Sequence, residues 1–187
     1  ILTVKRDGTF KCRAVCLGNL YKHDGHLDVY ASVISQSATR YLVADCATKG
    51  DAMCLFDIDN AFVQSFIDSD VFVRLPKEWR DLGENDSGIR KLVRALYGLP
   101  QSPRLWAKFY EKHLKLLGWT QSDSRGLWRK ESKTFPGKFL RLGVFVDDNM
   151  CSGPCKIELD REVEAVLKVF PGKIIKPEVM PDGWFRY

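Results

Sequence analysis

The sequence predicts an α+β fold built on an antiparallel sheet. Three observations predict it. Strand-like and helix-like segments are mixed, without the regular βαβ alternation of a parallel sheet. Residues 1–17 and 139–152 read as hairpins. Amphipathic segments near 36–48, 103–117 and 158–170 supply apolar faces to cover a sheet. The 187 residues suit one large domain or two small subdomains, and a 45% hydrophobic content is enough to bury a core.

The elements follow in order. Apolar Ile1–Val4 and Phe10–Leu17 flank "RDGT", where Asp7-Gly8 is a strong hairpin-turn dipeptide. Lys5, Arg6, Lys11 and Arg13 cluster around that tip. Residues 18–34 are loop-rich. "QSATRYLVADCAT", 36–48, is helical in pattern, with Gly50 as its terminator. "AMCLFDID" follows as a short apolar strand in which Asp57 closes the run. "VFVRL", 71–75, is another strand, and the polar stretch 80–88 is a loop.

The clearest helix starts near Pro103, which suits the first helical position, with Ser102 as its cap. Trp106, Phe109, Tyr110, His113, Leu114 and Leu117 form one apolar face, and Lys108, Glu111, Lys112 and Lys115 the other. Gly118 supplies the stop. His113, on the apolar face, reads as a packed histidine. The last helix puts Leu159, Val163, Val166, Leu167 and Phe170 on one side.

The net charge of +5 is a mild excess, compatible with a polyanionic partner. No apolar stretch has membrane-spanning length, and residues 1–20 lack a signal-peptide pattern, so a cytosolic or nuclear setting is expected. The six cysteines include two C-x3-C pairs, Cys12/Cys16 and Cys151/Cys155, a spacing that zinc ligands use. No histidine stands at ligand spacing, and Cys54 lies inside an apolar run. Reduced structural thiols are the better reading. The chain begins without Met and already strand-like, which reads as an excised piece of a longer protein.

"RLGVFVDDNMCSGP" carries the chemistry. An apolar run ends in adjacent carboxylates, Asp147 and Asp148, which repel and raise each other's proton affinity. A divalent cation relieves that repulsion. Mg²⁺ takes oxygen ligands, often only one or two carboxylates plus substrate phosphates. Asp57, at the end of another apolar run, is the natural third carboxylate. With Asp147 and Asp148 at the bend of the 139–152 hairpin, and Asp57 and Asp147 on neighbouring strands, the three carboxylates suit a pair of Mg²⁺ ions, with Mn²⁺ as the alternative, stabilising both oxygens of a phosphoryl transfer. A glycosidase would need its two acids ~5–9 Å apart on separate elements, a gap that adjacent aspartates do not give. A metal-dependent nuclease shares the metal logic.

Beyond these residues the chain resembles the reverse transcriptases of copia-type (Pseudoviridae-like) LTR retrotransposons. "FVDD", 145–148, is similar to their Y/F-V-D-D motif, and "FDIDNAFVQS", 56–65, to D-V-K-T-A-F-L-N-G. "VFVRLPKEW" resembles the Y-M-x-x-P stretch. "KLVRALYGLPQSPRLWAKFYEKHLKLLGW", 91–119, resembles K-L-x-K-A-L-Y-G-L-K-Q-A-P-R-x-W and the helix after it. "KCRAVCLGN" resembles the K-A-R-L-V-A-K-G strand. The motifs stand in the family's order from about residue 5 to about residue 170. There are departures. "NMCSG" follows the aspartates where aliphatic residues are usual, and Asp59 and Asn60 replace Lys and Thr.

The resemblance implies a right-hand polymerase: residues 1–50 fingers, 51–76 palm, 77–104 fingers again and 105–187 palm, without thumb or RNase H. It implies RNA-directed DNA synthesis on a primed RNA or DNA template from dNTPs, within a polyprotein that also encodes integrase. A virus-like particle in the cytoplasm, and the nucleus, are the implied settings. Asp57 and Asp147 would be the main metal ligands, Asp148 a weaker one, and Ile58 would lend a carbonyl. Lys5, Lys11, Arg13, Asn60, Ala61, Phe62 and Gln101 would meet the nucleotide. Arg13 would grip the triphosphate with either Lys5 or Lys11, and Phe62 would exclude a 2′-hydroxyl. Phe62 as an ordinary core ring, Gln101 as a helix-start residue and Arg104 as a structural cation are the plainer readings. The rival for the whole chain is a non-catalytic, reverse-transcriptase-derived binding scaffold.

Overall fold

A computed structural model describes residues 2–4, 8–21, 28–80, 87–176, 178–179 and 185–186. Lys5, Asp7 and most of the 80–88 loop lie outside the described residues. Helices and antiparallel sheets are mixed, as the sequence predicts. Two compact units emerge, each assembled from two stretches of chain: residues 1–31 with 62–106, and 32–61 with 107–187.

In the first unit, strand β1 (Leu2–Val4) pairs with β2 (Phe10–Cys12). The pairing stops at Cys12, short of the predicted Leu17. Beyond it the backbone docks on the 97–98 turn instead: the Cys16 N–H donates to the Tyr97 carbonyl at 2.7 Å. Gly18 and Gly98 make this approach feasible. A Cβ on Gly18 would lie 1.8 Å from the Gly98 carbonyl oxygen, and one on Gly98 2.1 Å from that of Cys16. A second ribbon pairs β4 (Phe72–Arg74) with β5 (Ile89–Lys91).

The second unit is a sheet with helices on both faces. Helix α1 (Gln36–Lys49) is capped by the Ser35 hydroxyl, which accepts from the Ala38 N–H at 3.1 Å. It ends on Gly50 at φ +65°, the predicted terminator. β3 (Ala52–Ile58) is followed by the short helix α2 (Ala61–Gln64). Helix α3 (Ser102–Leu116) leads to β6 (Thr120–Gln121), β7 (Leu127–Glu131), β8 (Phe139–Phe145) and β9 (Asp148–Gly153). Helix α4 (Lys156–Val169) and β10 (Gly172–Ile175) follow, then the small β11 (Glu178–Val179) and β12 (Phe185–Arg186) pair. The six-stranded order is β10-β3-β9-β8-β7-β6, antiparallel throughout.

Strand alternation sorts the two faces. Gly143 and Met150 are cross-strand partners, and α1 lies over them: Ile34, Leu42 and Leu127 are buried with Ala38 and Met150. Phe56, Val144 and Asn149 share the opposite face, which α4 covers with Leu159, Val163 and Val166. Tyr110 of α3 reaches the same face. His113 packs as the sequence predicts, its ring 4.5 Å from Phe109 and 5.2 Å from Phe170, with Nδ1 bonded to the Phe109 carbonyl.

Two further local expectations differ. Ser102 is the first helical residue, and its hydroxyl donates to the Leu96 carbonyl at 2.7 Å instead of capping. Glu111, expected on the solvated face, is half-buried, and burial raises its carboxyl despite Lys115 and Lys108. All six cysteines are free thiols, and Cys46, Cys54 and Cys151 are buried.

Candidate active site

Asp57 is the penultimate residue of β3, and its register partner in β9 is Asp148. The Ile58 N–H donates to the Asp147 carbonyl at 3.0 Å, so residues 58 and 147 form the hydrogen-bonded pair. Residues 57 and 148 are then the non-bonded pair, whose Cα atoms lie about 4.5 Å apart with side chains close. Lys173 of β10 is partnered with Asp57, and Phe145 of β8 with Asp148. One row across four strands therefore reads Lys173, Asp57, Asp148, Phe145. Cross-strand partners share a face, and here it is the face that α1 covers further along.

Opposed like charges cost free energy. Burial raises the Asp57 carboxyl, and Asp147, Asp148 and Asp59 raise it further, while Lys173 lowers it. The Lys173 ammonium stands 3.9 Å from an Asp57 oxygen and is itself 68% exposed, so its compensation is weak. Burial, and then Asp147, raise Asp148. Asp147 sits in the two-residue turn between β8 and β9 rather than on a strand. Val146, the other turn residue, has φ +59°. That is a costly region for a β-branched side chain and is normally glycine at the first position of a tight hairpin turn.

Among the described residues, no three His, Cys, Asp or Glu side chains close on a single point. Mg²⁺ does not demand three, because water and substrate phosphates complete its shell. Two opposed carboxylates with a third in the adjoining turn, all hard oxygen donors in mutual repulsion, fit such an ion. Ile58 is buried, with its N–H committed to Asp147.

The residues expected at the nucleotide divide among several settings. Asn60 occupies the turn after β3 at φ +53°, exposed, and Ala61 is buried beside it. In the first unit, the Phe62 ring lies 4.8 Å from Tyr97, and the Arg13 guanidinium stands over the other ring at 5.3 Å. Tyr97 thus links two expected residues and was itself missed, although "LYGL" is part of the most specific motif. Lys11 is exposed on β2. Gln101 is fully buried, and among the described residues neither its amide nitrogen nor its oxygen has a hydrogen-bond partner. Arg104 pairs with Asp68 and lies 3.9 Å from Asp28, the structural role. Sequence reasoning also missed Lys173, which only strand register brings to Asp57, and the part played by Asn149, whose partner Tyr110 lies 39 residues away in the chain.

Fold and site define an α+β protein that concentrates carboxylates at one end of an antiparallel sheet. The chain belongs to the reverse transcriptase family: the family model described as "Reverse transcriptase (RNA-dependent DNA polymerase)" matches residues 2–170. Its relatives make it a reverse transcriptase of the copia-type LTR retrotransposon kind. It is 31% identical over 154 residues to the Transposon Ty1-LR2 Gag-Pol polyprotein of Saccharomyces cerevisiae, covering 79% of this chain and 8% of that one. It is 28% identical over 147 residues to the retrovirus-related Pol polyprotein from transposon RE1 of Arabidopsis thaliana, covering 77% and 10%. For the corresponding polyprotein from transposon TNT 1-94 of Nicotiana tabacum the figures are 24% over 164 residues, 83% and 12%. The chain spans about a tenth of the length of these polyproteins. No solved structure gives a significant match. Among the described residues no helix is long and apolar enough to cross a membrane.

Proposed function

We propose that the chain is the fingers and palm of a polymerase that extends a primer with dNTPs on an RNA or DNA template. The second unit is the palm and the first the fingers. The palm then begins at Ser32 and includes α1. The observation that carries this reading is the face-to-face placement of Asp57 and Asp148, with Asp147 in the adjoining turn.

Asp57, Asp147 and Asp148 would hold divalent cations, with the Ile58 carbonyl as an added donor. When bound, Mg²⁺ supplies charge stabilisation to the primer oxygen and the leaving pyrophosphate. The protein's part is positional. Asp57 and Asp148 keep their carboxylates on one face by register, and Asp147 enters from the turn. Arg13 would meet the triphosphate, since its planar fork donates two hydrogen bonds at once. Gln101 retains unspent hydrogen-bonding capacity, as a residue that completes its bonds on substrate would. Phe62, held against Tyr97, would present its ring to the sugar. Binding of the primed template would rest on phosphate contacts and weaken with salt.

The test is Mg²⁺- or Mn²⁺-dependent extension of a primed RNA template by the wild-type chain and by Asp57→Asn and Asp147→Asn. Extension lost in both variants is expected. Extension that survives both would refute the reading.

A further inference from the structure

We propose that Asn149, held by Tyr110, is a positioning residue that fixes the Asp147–Asp148 peptide. This rests on the reading of those aspartates as metal ligands. Asn149 follows them directly in the chain. It is 3% exposed.

Both ends of its amide are used. Nδ2 donates to the Asp147 carbonyl at 2.8 Å, and Oδ1 accepts from the Tyr110 hydroxyl at 3.0 Å. The orientation is forced, because a carbonyl can only accept. Tyr110 is 1% exposed and fixed edge-on against Phe170, with ring centroids 5.1 Å apart. Helix α3 is therefore connected to the catalytic turn through one buried amide.

The Asp147 carbonyl has a second donor, the Ile58 N–H at 3.0 Å, from the strand that carries Asp57. Two donors from two elements converge on one oxygen. That oxygen belongs to the peptide joining Asp147 to Asp148, so fixing it sets where both carboxylates leave the backbone. The hold is needed because Val146, at φ +59°, is strained, and strained residues persist only where their surroundings over-determine them. An aliphatic residue at 149 would fill the space and hold nothing.

The decisive variant is Tyr110→Phe with Asn149→Leu. Replacing both partners by apolar groups orphans neither, so stability is nearly kept. Amide hydrogen exchange of the metal-free protein and Mn²⁺ affinity by electron paramagnetic resonance are read together. The Ile58 amide is expected to exchange about tenfold faster with the β7–β8 amides unchanged, and Mn²⁺ to bind several-fold more weakly. Exchange and affinity equal to wild type would overturn the proposal and leave the metal reading standing. Absence of Mn²⁺ binding in the wild type would overturn both. If the double variant does not fold, Tyr110→Phe alone carries the test: acceleration at Ile58 supports the role, and none overturns it.

Discussion

Asp57 and Asp148 face each other directly across β3 and β9, and the folded protein raises the proton affinity of both. A raised carboxyl makes the folded chain bind more protons than the unfolded one. Its stabilising share is complete below the ordinary carboxylate value of about 3.9 and is lost as pH rises through the raised value. In EDTA at pH 7, Asp57→Asn is therefore expected to raise the unfolding temperature by about 2–4 °C, and the gap to close near pH 3.5. The lost Lys173 pair, long and exposed, is too weak to reverse this. Thermal melts of both proteins across that range decide it.

Glu158 has the opposite sign. It is buried in the first turn of α4, where it accepts from the Ser132 hydroxyl at 2.5 Å and the Lys133 N–H at 2.6 Å. Burial would raise its carboxyl, but these bonds, with Thr134, lower it on balance. Its contribution is present above the ordinary value of about 4.3 and is lost as pH falls through the depressed one. Glu158→Gln is expected to cost roughly 1–3 kcal/mol at pH 7, with the difference from wild type closing toward pH 3. Urea unfolding at the two pH values measures it.

Gln101 separates stability from function. Its two amide atoms, without a partner among the described residues, are buried at a cost. Gln101→Met is expected to stabilise the free protein by about 1 kcal/mol while raising the KM for dNTP about tenfold. A variant that is less stable and unimpaired in dNTP use would contradict the nucleotide role.

Phe62 rests against Tyr97, so sugar selectivity should depend on both rings. Phe62→Val is expected to raise rNTP incorporation clearly, and Tyr97→Leu to raise it less. Primer extension with dNTP and rNTP in competition reads the ratio, and an unchanged ratio in Phe62→Val would reject the role.

The sequence made local matters legible and left register hidden. The apolar faces of α3 and α4 follow from spacings of three and four, and Gly50 ends α1 because its positive φ suits glycine. The aspartates are legible as a group at the bend of the 139–152 hairpin, on a strand neighbouring that of Asp57, but which of them faces Asp57 is not. The chain spends Val146 and Asp147 on the turn, which moves the facing position one residue on, to Asp148. Lys173 could not be foreseen. It reaches Asp57 only because Gly172 lets β10 close on β3, where a Cβ would come 2.2 Å from the Asp57 carbonyl oxygen.

The most direct measurement is paramagnetic broadening of backbone amide signals by Mn²⁺. The account requires broadening centred on residues 57, 147 and 148, removed by excess Mg²⁺ and absent in Asp57→Asn. Broadening centred elsewhere, or unaffected by the Asp57 substitution, would contradict it.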